Sequence, residues 1–256
     1  MSNYKLILLH GFAGQASDWH FLFDKLPENI CPITVDLLGH GKSSSPEDFN
    51  LYSADKLAEY INAIFEKLNF DKAIILGYSM GGRVAASFHN KFPNKVLSLI
   101  FESSTFGIEN EHLRMDRINS DTVLVEKLLN SSINEFVIDW YNQPLFKSLK
   151  QLEADKYNQM INEKYLNNPI GLSGILKGFG TGQMPNFWSN VPNISVPGLF
   201  ISGRLDEKYS KIGERISKLN SNFEHICVEE TGHNIHLEKP KEFINLINSF
   251  LIKYFN

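Results

Sequence analysis

The segment Ala73-Ile74-Ile75-Leu76-Gly77-Tyr78-Ser79-Met80-Gly81-Gly82-Arg83 decides the fold, because it joins an apolar run, a glycine-flanked serine and a helical pattern end to end. The run Ala73 to Leu76, closed by glycine, reads as a buried strand, and the pattern from Met80 to about Phe92 reads as a helix. Glycines two residues either side of Ser79 permit a strained turn and close backbone approach, so the hydroxyl projects above the sheet. This is a nucleophile elbow in its required strand-turn-helix setting; the competing reading is a glycine-rich turn without chemistry. At the start of that helix the Met80 N–H is placed to donate to a developing oxyanion.

Working outward, similar apolar runs occur at Lys5–Leu9, Ile33–Val35, Val96–Phe101, Gly198–Ser202 and His225–Val228, bounded by Gly, Pro and Asn. They read as buried parallel strands. Leu57, Ile61, Ile64, Phe65 and Leu68 recur at helical spacing behind Ser53, a helix cap, and Phe243, Leu246, Ile247, Phe250 and Leu251 repeat the pattern after Pro240. Strand and helix in alternation imply an α/β fold: a mostly parallel sheet, connected by right-handed crossovers and covered on both faces. More than ninety residues between the fourth and fifth strands carry helical patterning and no convincing strand. The expectation is a core of residues 1–103 and 192–256 with a helical cap at 104–191. The cap holds Trp140 and Trp188 with many other aromatics, which either pin it to the sheet or roof the strand ends, where such folds bind ligands.

With 43% apolar and 21% charged residues over 256 positions, the chain can bury a full core, which excludes disordered and fibrous classes. Its 25 basic and 29 acidic residues leave a net charge of −4, so nucleic acid and anionic membrane are not expected partners. Affinity for an anion must come from a few placed cations. Cys31 and Cys227 have no metal or redox spacing. The run Leu6–Leu9 is too short for a signal-peptide core and no segment reaches membrane-spanning length, so a cytoplasmic protein is expected. Oligomeric state is not legible.

A serine nucleophile needs a base and a group to orient it, in the chain order serine, acid, histidine. Asp206 follows the fifth strand in Gly203-Arg204-Leu205-Asp206, with Glu207 as rival and a helix-cap carboxylate as the plain alternative. His233 follows the sixth in Thr231-Gly232-His233, with His236 as rival. The two histidines lack a third ligand at metal spacing, so no metal is expected. His10-Gly11-Phe12 follows the first strand, where the Phe12 N–H is the candidate second oxyanion donor; the alternative is a tight turn with an exposed histidine. The glycine turn Asp36–Ser43 lacks the phosphate-loop spacing, and Gly81-Gly82-Arg83 is no dinucleotide fingerprint, so no cofactor is expected. Arg83 stands in the first helical turn against the helix dipole, either solvated, paired locally, or compensated by a ligand.

The segments Leu9–Phe12, Asp36–Gly41, Gly77–Gly82, the late Asp206 and Thr231–His233 resemble the α/β-hydrolase superfamily over nearly the whole chain. Within it, Gly77–Arg83, Asp139–Phe146 and Gly180–Trp188 resemble the 2-succinyl-6-hydroxy-2,4-cyclohexadiene-1-carboxylate synthases of menaquinone and phylloquinone biosynthesis. The resemblance implies a lyase that eliminates pyruvate from 2-succinyl-5-enolpyruvyl-6-hydroxy-3-cyclohexene-1-carboxylate, a small polycarboxylate. It makes Ser79 a base activated by His233 and Asp206, and it puts Tyr78, Arg83, Arg117, Trp140, Tyr141, Gln143 and Lys164 around the substrate. Lys164 stands where the family usually has arginine, Leu38 stands where it has proline, and the family's leading hairpin is not expected here. A carboxylesterase or carbon–carbon hydrolase shares triad and cap, and a ligand receptor shares the fold; several fixed cations separate the lyase from an ester pocket.

Overall fold

The computed structural model describes residues 4–256. Six strands, β1 (Tyr4–Leu9), β2 (Ile30–Val35), β3 (Ala73–Tyr78), β4 (Val96–Glu102), β5 (Gly198–Gly203) and β6 (Phe223–Val228), form one sheet in the order β2-β1-β3-β4-β5-β6. Every pairing is parallel. Side chains of one strand alternate between faces, and register carries the alternation across the sheet: Leu6 pairs with Ile74 and Ile7 with Ile75. One face, with Leu6, Leu8, Ile74, Leu76, Ile100 and Ile201, packs on Phe243, Ile247, Phe250 and Leu251 of the last helix. The other, with Ile7, Leu9, Ile75, Leu99 and Phe101, packs on Leu57, Ile61, Phe65, Val84 and Phe88. β2 starts three residues earlier than its apolar run predicts, because Pro32, which lacks an N–H, is tolerated in this edge strand.

The helices on these faces are α1 (Ala54–Leu68), α2 (Met80–Lys91), α7 (Glu207–Leu219), a single turn α8 (Ile235–Glu238) and α9 (Pro240–Phe255). Ser53 caps α1, its hydroxyl accepting from the Lys56 N–H, and Asn69 ends the helix in the left-handed region. Between β4 and β5 lie α3 (Glu111–Asn130), α4 (Ile133–Tyr141), a 3₁₀ segment Pro144–Gln151, α5 (Ala154–Lys164), α6 (Pro169–Phe179) and a 3₁₀ turn Trp188–Asn193. This helical layer has an apolar cluster of its own, including Val125, Leu128, Phe136, Phe146, Leu149 and Leu172. Its two tryptophans divide the two roles open to them. Trp188 pins the layer down, its indole N–H donating to the Gly107 carbonyl at 3.1 Å, while Trp140 faces a cavity. The turn after β2 is tied by Asp36, which accepts from the N–H groups of Ala16 and Lys42. Its Gly39, at φ 83°, lies so close to the Gly171 carbonyl of α6 that a β-carbon would be 2.7 Å away. No helix of the described residues is long and apolar enough to cross a membrane.

Candidate active site

Ser79 is in the left-handed half of backbone space, at φ 49° and ψ −104°, which costs a non-glycine residue on the order of 1–3 kcal/mol. The flanking glycines carry no such strain; they supply room. A β-carbon on Gly81 would lie 2.1 Å from the Leu9 carbonyl oxygen of β1, and one on Gly77 would lie 2.4 Å from the backbone of Gly81. The elbow is held by the Ser79 N–H, which donates to the Glu102 carbonyl at 2.8 Å, and by the Ser104 hydroxyl, which donates to the Ser79 carbonyl at 2.8 Å.

The Ser79 Oγ lies 3.0 Å from Nε2 of His233, and His233 Nδ1 lies 2.6 Å from Oδ2 of Asp206. A carboxylate only accepts, so Nδ1 carries the proton and Nε2 is left to accept from the serine. Asp206 is also the cap of α7, its Oδ1 accepting from the Tyr209 N–H, so the plain alternative and the chemical reading describe one side chain. The two rivals go elsewhere. Glu207 is exposed and pairs with Lys211. His236 is buried, with its ring Nδ1–H and its backbone N–H both donated to the fully buried Glu102. The rings of Tyr78, Phe146 and Tyr209 surround His233 at centroid distances of 5.5, 5.9 and 4.7 Å.

Neither the Phe12 nor the Met80 N–H donates to any acceptor among the described residues, so both remain available to an oxyanion. His10 is buried, contrary to the exposed-turn reading. Its Nε2 accepts from the Leu37 N–H at 3.1 Å and its Nδ1–H meets the Gly11 carbonyl at 2.7 Å, which ties the turn before Phe12 to the end of β2. Burial holds its pKa below the usual value and keeps the ring neutral.

A cavity of about 290 Å³ opens on Ser79 and His233. The structure brings Phe12, Tyr78, Arg83, Arg117, Trp140, Tyr141 and Gln143 to its wall, together with Tyr209 and Thr181. Arg83 is buried with no carboxylate at salt-bridge distance among the described residues. Its guanidinium donates to the Phe179 carbonyl at the C-terminus of α6 and lies 5.0 Å from that ring's centroid. The negative end of the α6 dipole and a π-face therefore compensate it in place of an acid. Burial, and then the nearby Arg117, push its pKa down to about 10. Arg117 spends one N–H, its Nε, on Asp121 at 2.8 Å. Burial raises the Asp121 pKa despite that contact, and Asp121 Oδ2 has no partner.

Lys164 departs from expectation. It lines a neighbouring cavity of about 510 Å³ that shares Phe12, Tyr78 and Tyr141 with the first, and its ammonium is 2.9 Å from Asp18 in a buried pair. Its charge is already balanced, so it is no free cation beside Ser79.

The matching family model, described as the alpha/beta hydrolase fold, spans residues 4–240. The chain belongs to this family. A Bacillus subtilis protein provisionally named 2-succinyl-6-hydroxy-2,4-cyclohexadiene-1-carboxylate synthase is 37% identical over 246 residues, 96% of this chain and 89% of that protein. An Enterobacter protein bearing that name is 26% identical over 235 residues, 92% of this chain and 86% of its own length. The solved structure of MenH from S. aureus superposes with a TM-score of 0.95 at 33% identity, covering 100% of this chain and 96% of that one.

In this α/β-hydrolase chain, sequence reasoning passes over Glu102, Thr181, Tyr209 and Glu238. Glu102 leaves a trace, as a carboxylate closing the apolar strand Val96–Glu102. Tyr209 follows Asp206 by three residues, which puts it one helical turn on, toward the same site. Thr181 lies in a segment that matches the synthases, but nothing in its residue type marks it, and Glu238 leaves no signal.

Proposed function

We propose that this chain eliminates pyruvate from 2-succinyl-5-enolpyruvyl-6-hydroxy-3-cyclohexene-1-carboxylate to give 2-succinyl-6-hydroxy-2,4-cyclohexadiene-1-carboxylate. The observation that carries the reading is the pair Arg83 and Arg117 in the wall of the Ser79 cavity, whose lining among the described residues includes a single carboxylate, Asp121, beside these two cations. A neutral ester gives no return on burying such charge, whereas a substrate with three carboxylates does. The names of the relatives support the same chemistry.

The mechanism follows from substrate and product. The ring alkene at C3 becomes a diene at C2 and C4 while the C5 substituent leaves, so the hydrogen lost is on C2, next to the succinyl ketone. Ser79, its own proton drawn toward His233 Nε2, takes that proton. The C2–H electrons form the C2–C3 double bond, the old alkene shifts to C4–C5, and the C5–O bond breaks. Enolpyruvate leaves and is protonated to pyruvate, returning the proton from His233. Charge builds on the succinyl carbonyl oxygen, and the Phe12 and Met80 N–H groups receive it. No water is consumed and no serine ester forms.

Arg83→Ala and Arg117→Ala, assayed for pyruvate release from the triacid and for hydrolysis of a neutral ester, test this. Each is expected to cost about 2–5 kcal/mol in kcat/KM on the triacid, because a desolvated carboxylate loses its partner, and little on the ester. If both variants stay within about threefold of the parent on the triacid while the ester turns over, the carboxylesterase reading replaces this one.

A further inference from the structure

We infer that Glu238 is a positioning residue that holds the backbone on both sides of His233 and ties that loop to the helical layer above it. One carboxylate takes three donors. Its Oε2 accepts from the Gly232 N–H at 2.8 Å, and its Oε1 accepts from the Asn234 N–H at 3.3 Å and from the Ser148 hydroxyl at 3.0 Å. Gly232 and Asn234 are the immediate neighbours of His233: the Asn234 N–H belongs to the peptide that follows His233 and the Gly232 N–H to the peptide one residue before it, so the same side chain holds the loop on both sides of the histidine. Ser148 belongs to the 3₁₀ segment Pro144–Gln151, which also presents Phe146 edge-on to His233. The approach is close: a β-carbon on Gly232 would lie 2.0 Å from the Ser148 Oγ, so a side chain there would part the loop from the layer.

The geometry calls for a carboxylate. Glu238 has no cation at salt-bridge distance among the described residues, and its charge is met by these hydrogen bonds. Burial and the nearby Glu102 raise its pKa. A glutamine of the same shape has one acceptor oxygen, and whichever way it turns, its NH₂ group faces a backbone N–H. His233 must hold Nδ1 to Asp206 and Nε2 to Ser79 at once, and small misplacements of such a group are costly to rate.

This inference rests on the Ser79–His233 pairing used above, and its test has a readout that needs no substrate. The proton shared between His233 Nδ1 and Asp206 gives a far-downfield ¹H resonance, assigned by its loss in His233→Ala. Glu238→Gln, chosen because the isosteric change preserves packing, is expected to broaden or shift that resonance. It should also lower kcat for pyruvate release about tenfold or more, with KM within about threefold and unfolding little changed. Ser148→Ala cuts only the arm to the helical layer, so it should keep the resonance and kcat while raising KM. An unchanged resonance together with kcat within about twofold of the parent in Glu238→Gln overturns the inference. So does a loss of kcat that is fully accounted for by the unfolded fraction. If the parent releases no pyruvate, the proposed function fails, and the resonance in Glu238→Gln still decides the role of Glu238.

Discussion

Ser79 joins backbone strain to chemistry in one residue, and its variants separate the two. Ser79→Ala and His233→Ala should each reduce turnover on the order of 10³-fold or more, since base and activator act as a unit. Asp206→Asn should be severe as well, because an amide does not hold the Nδ1–H tautomer. Glu207→Gln should leave turnover near that of the parent, its carboxylate being at the surface on Lys211. If Glu207→Gln matches Asp206→Asn, the acid is misassigned. Ser79→Gly should be as inactive as Ser79→Ala and more stable by on the order of 1–3 kcal/mol, because glycine adopts φ 49° without strain. Urea midpoints in the wrong order would show that the elbow stores no strain. Lys164 marks the limit of reading at this scale. The family resemblance makes it a substrate cation, yet its partner Asp18 stands 146 positions away and only the folded chain brings them together.

The elements most legible in the sequence are the four central strands β1, β3, β4 and β5, whose largely apolar, buried runs give their existence and order, whereas β6 is a half-buried edge strand. The edge strand β2 is less legible, since Pro32 breaks its run without ending it. Packing of α2 on β1 depends on a contact that the sequence only hints at, the absence of a side chain at Gly81. Gly81→Ala should force α2 away from the Leu9 carbonyl, costing at least about 1–3 kcal/mol of stability, as overpacking does. It should also impair turnover, because the displaced helix carries the Met80 N–H. Chemical denaturation checks the first effect and kcat the second; a variant as stable as the parent would contradict the close approach. β4 shows how one element registers two others. The Glu102 carbonyl holds the Ser79 N–H, and its side chain holds His236, three residues beyond His233.

For the molecule as a whole, buried neutral histidines set the response to acid. Burial is the main reason that the pKa of His10 is lowered and that of His40 lies well below the ordinary 6.5. Below pH 6.5 the unfolded chain therefore binds protons that the folded chain binds less readily, and stability falls as pH falls, by up to about 1.4 kcal/mol per pH unit for each such group until its own lowered pKa is reached. Urea unfolding across this range should show the slope, and His40→Gln should flatten it; a flat profile in the parent would refute the assignment. By itself, the sequence determined what depends on neighbours along the chain: strand and helix alternation, the helical insertion, the strained serine turn, and the order of serine, aspartate and histidine. Local periodicity and glycine placement act over a few residues, so they are written where they act. Tertiary structure alone decided which charges are free and which are spent. Arg83 meets the C-terminus of α6, Lys164 meets Asp18, Glu102 meets His236, and Glu238 clasps the loop of His233. Each of these is a desolvated contact between distant segments, and its energy exists only once water has been excluded by the fold.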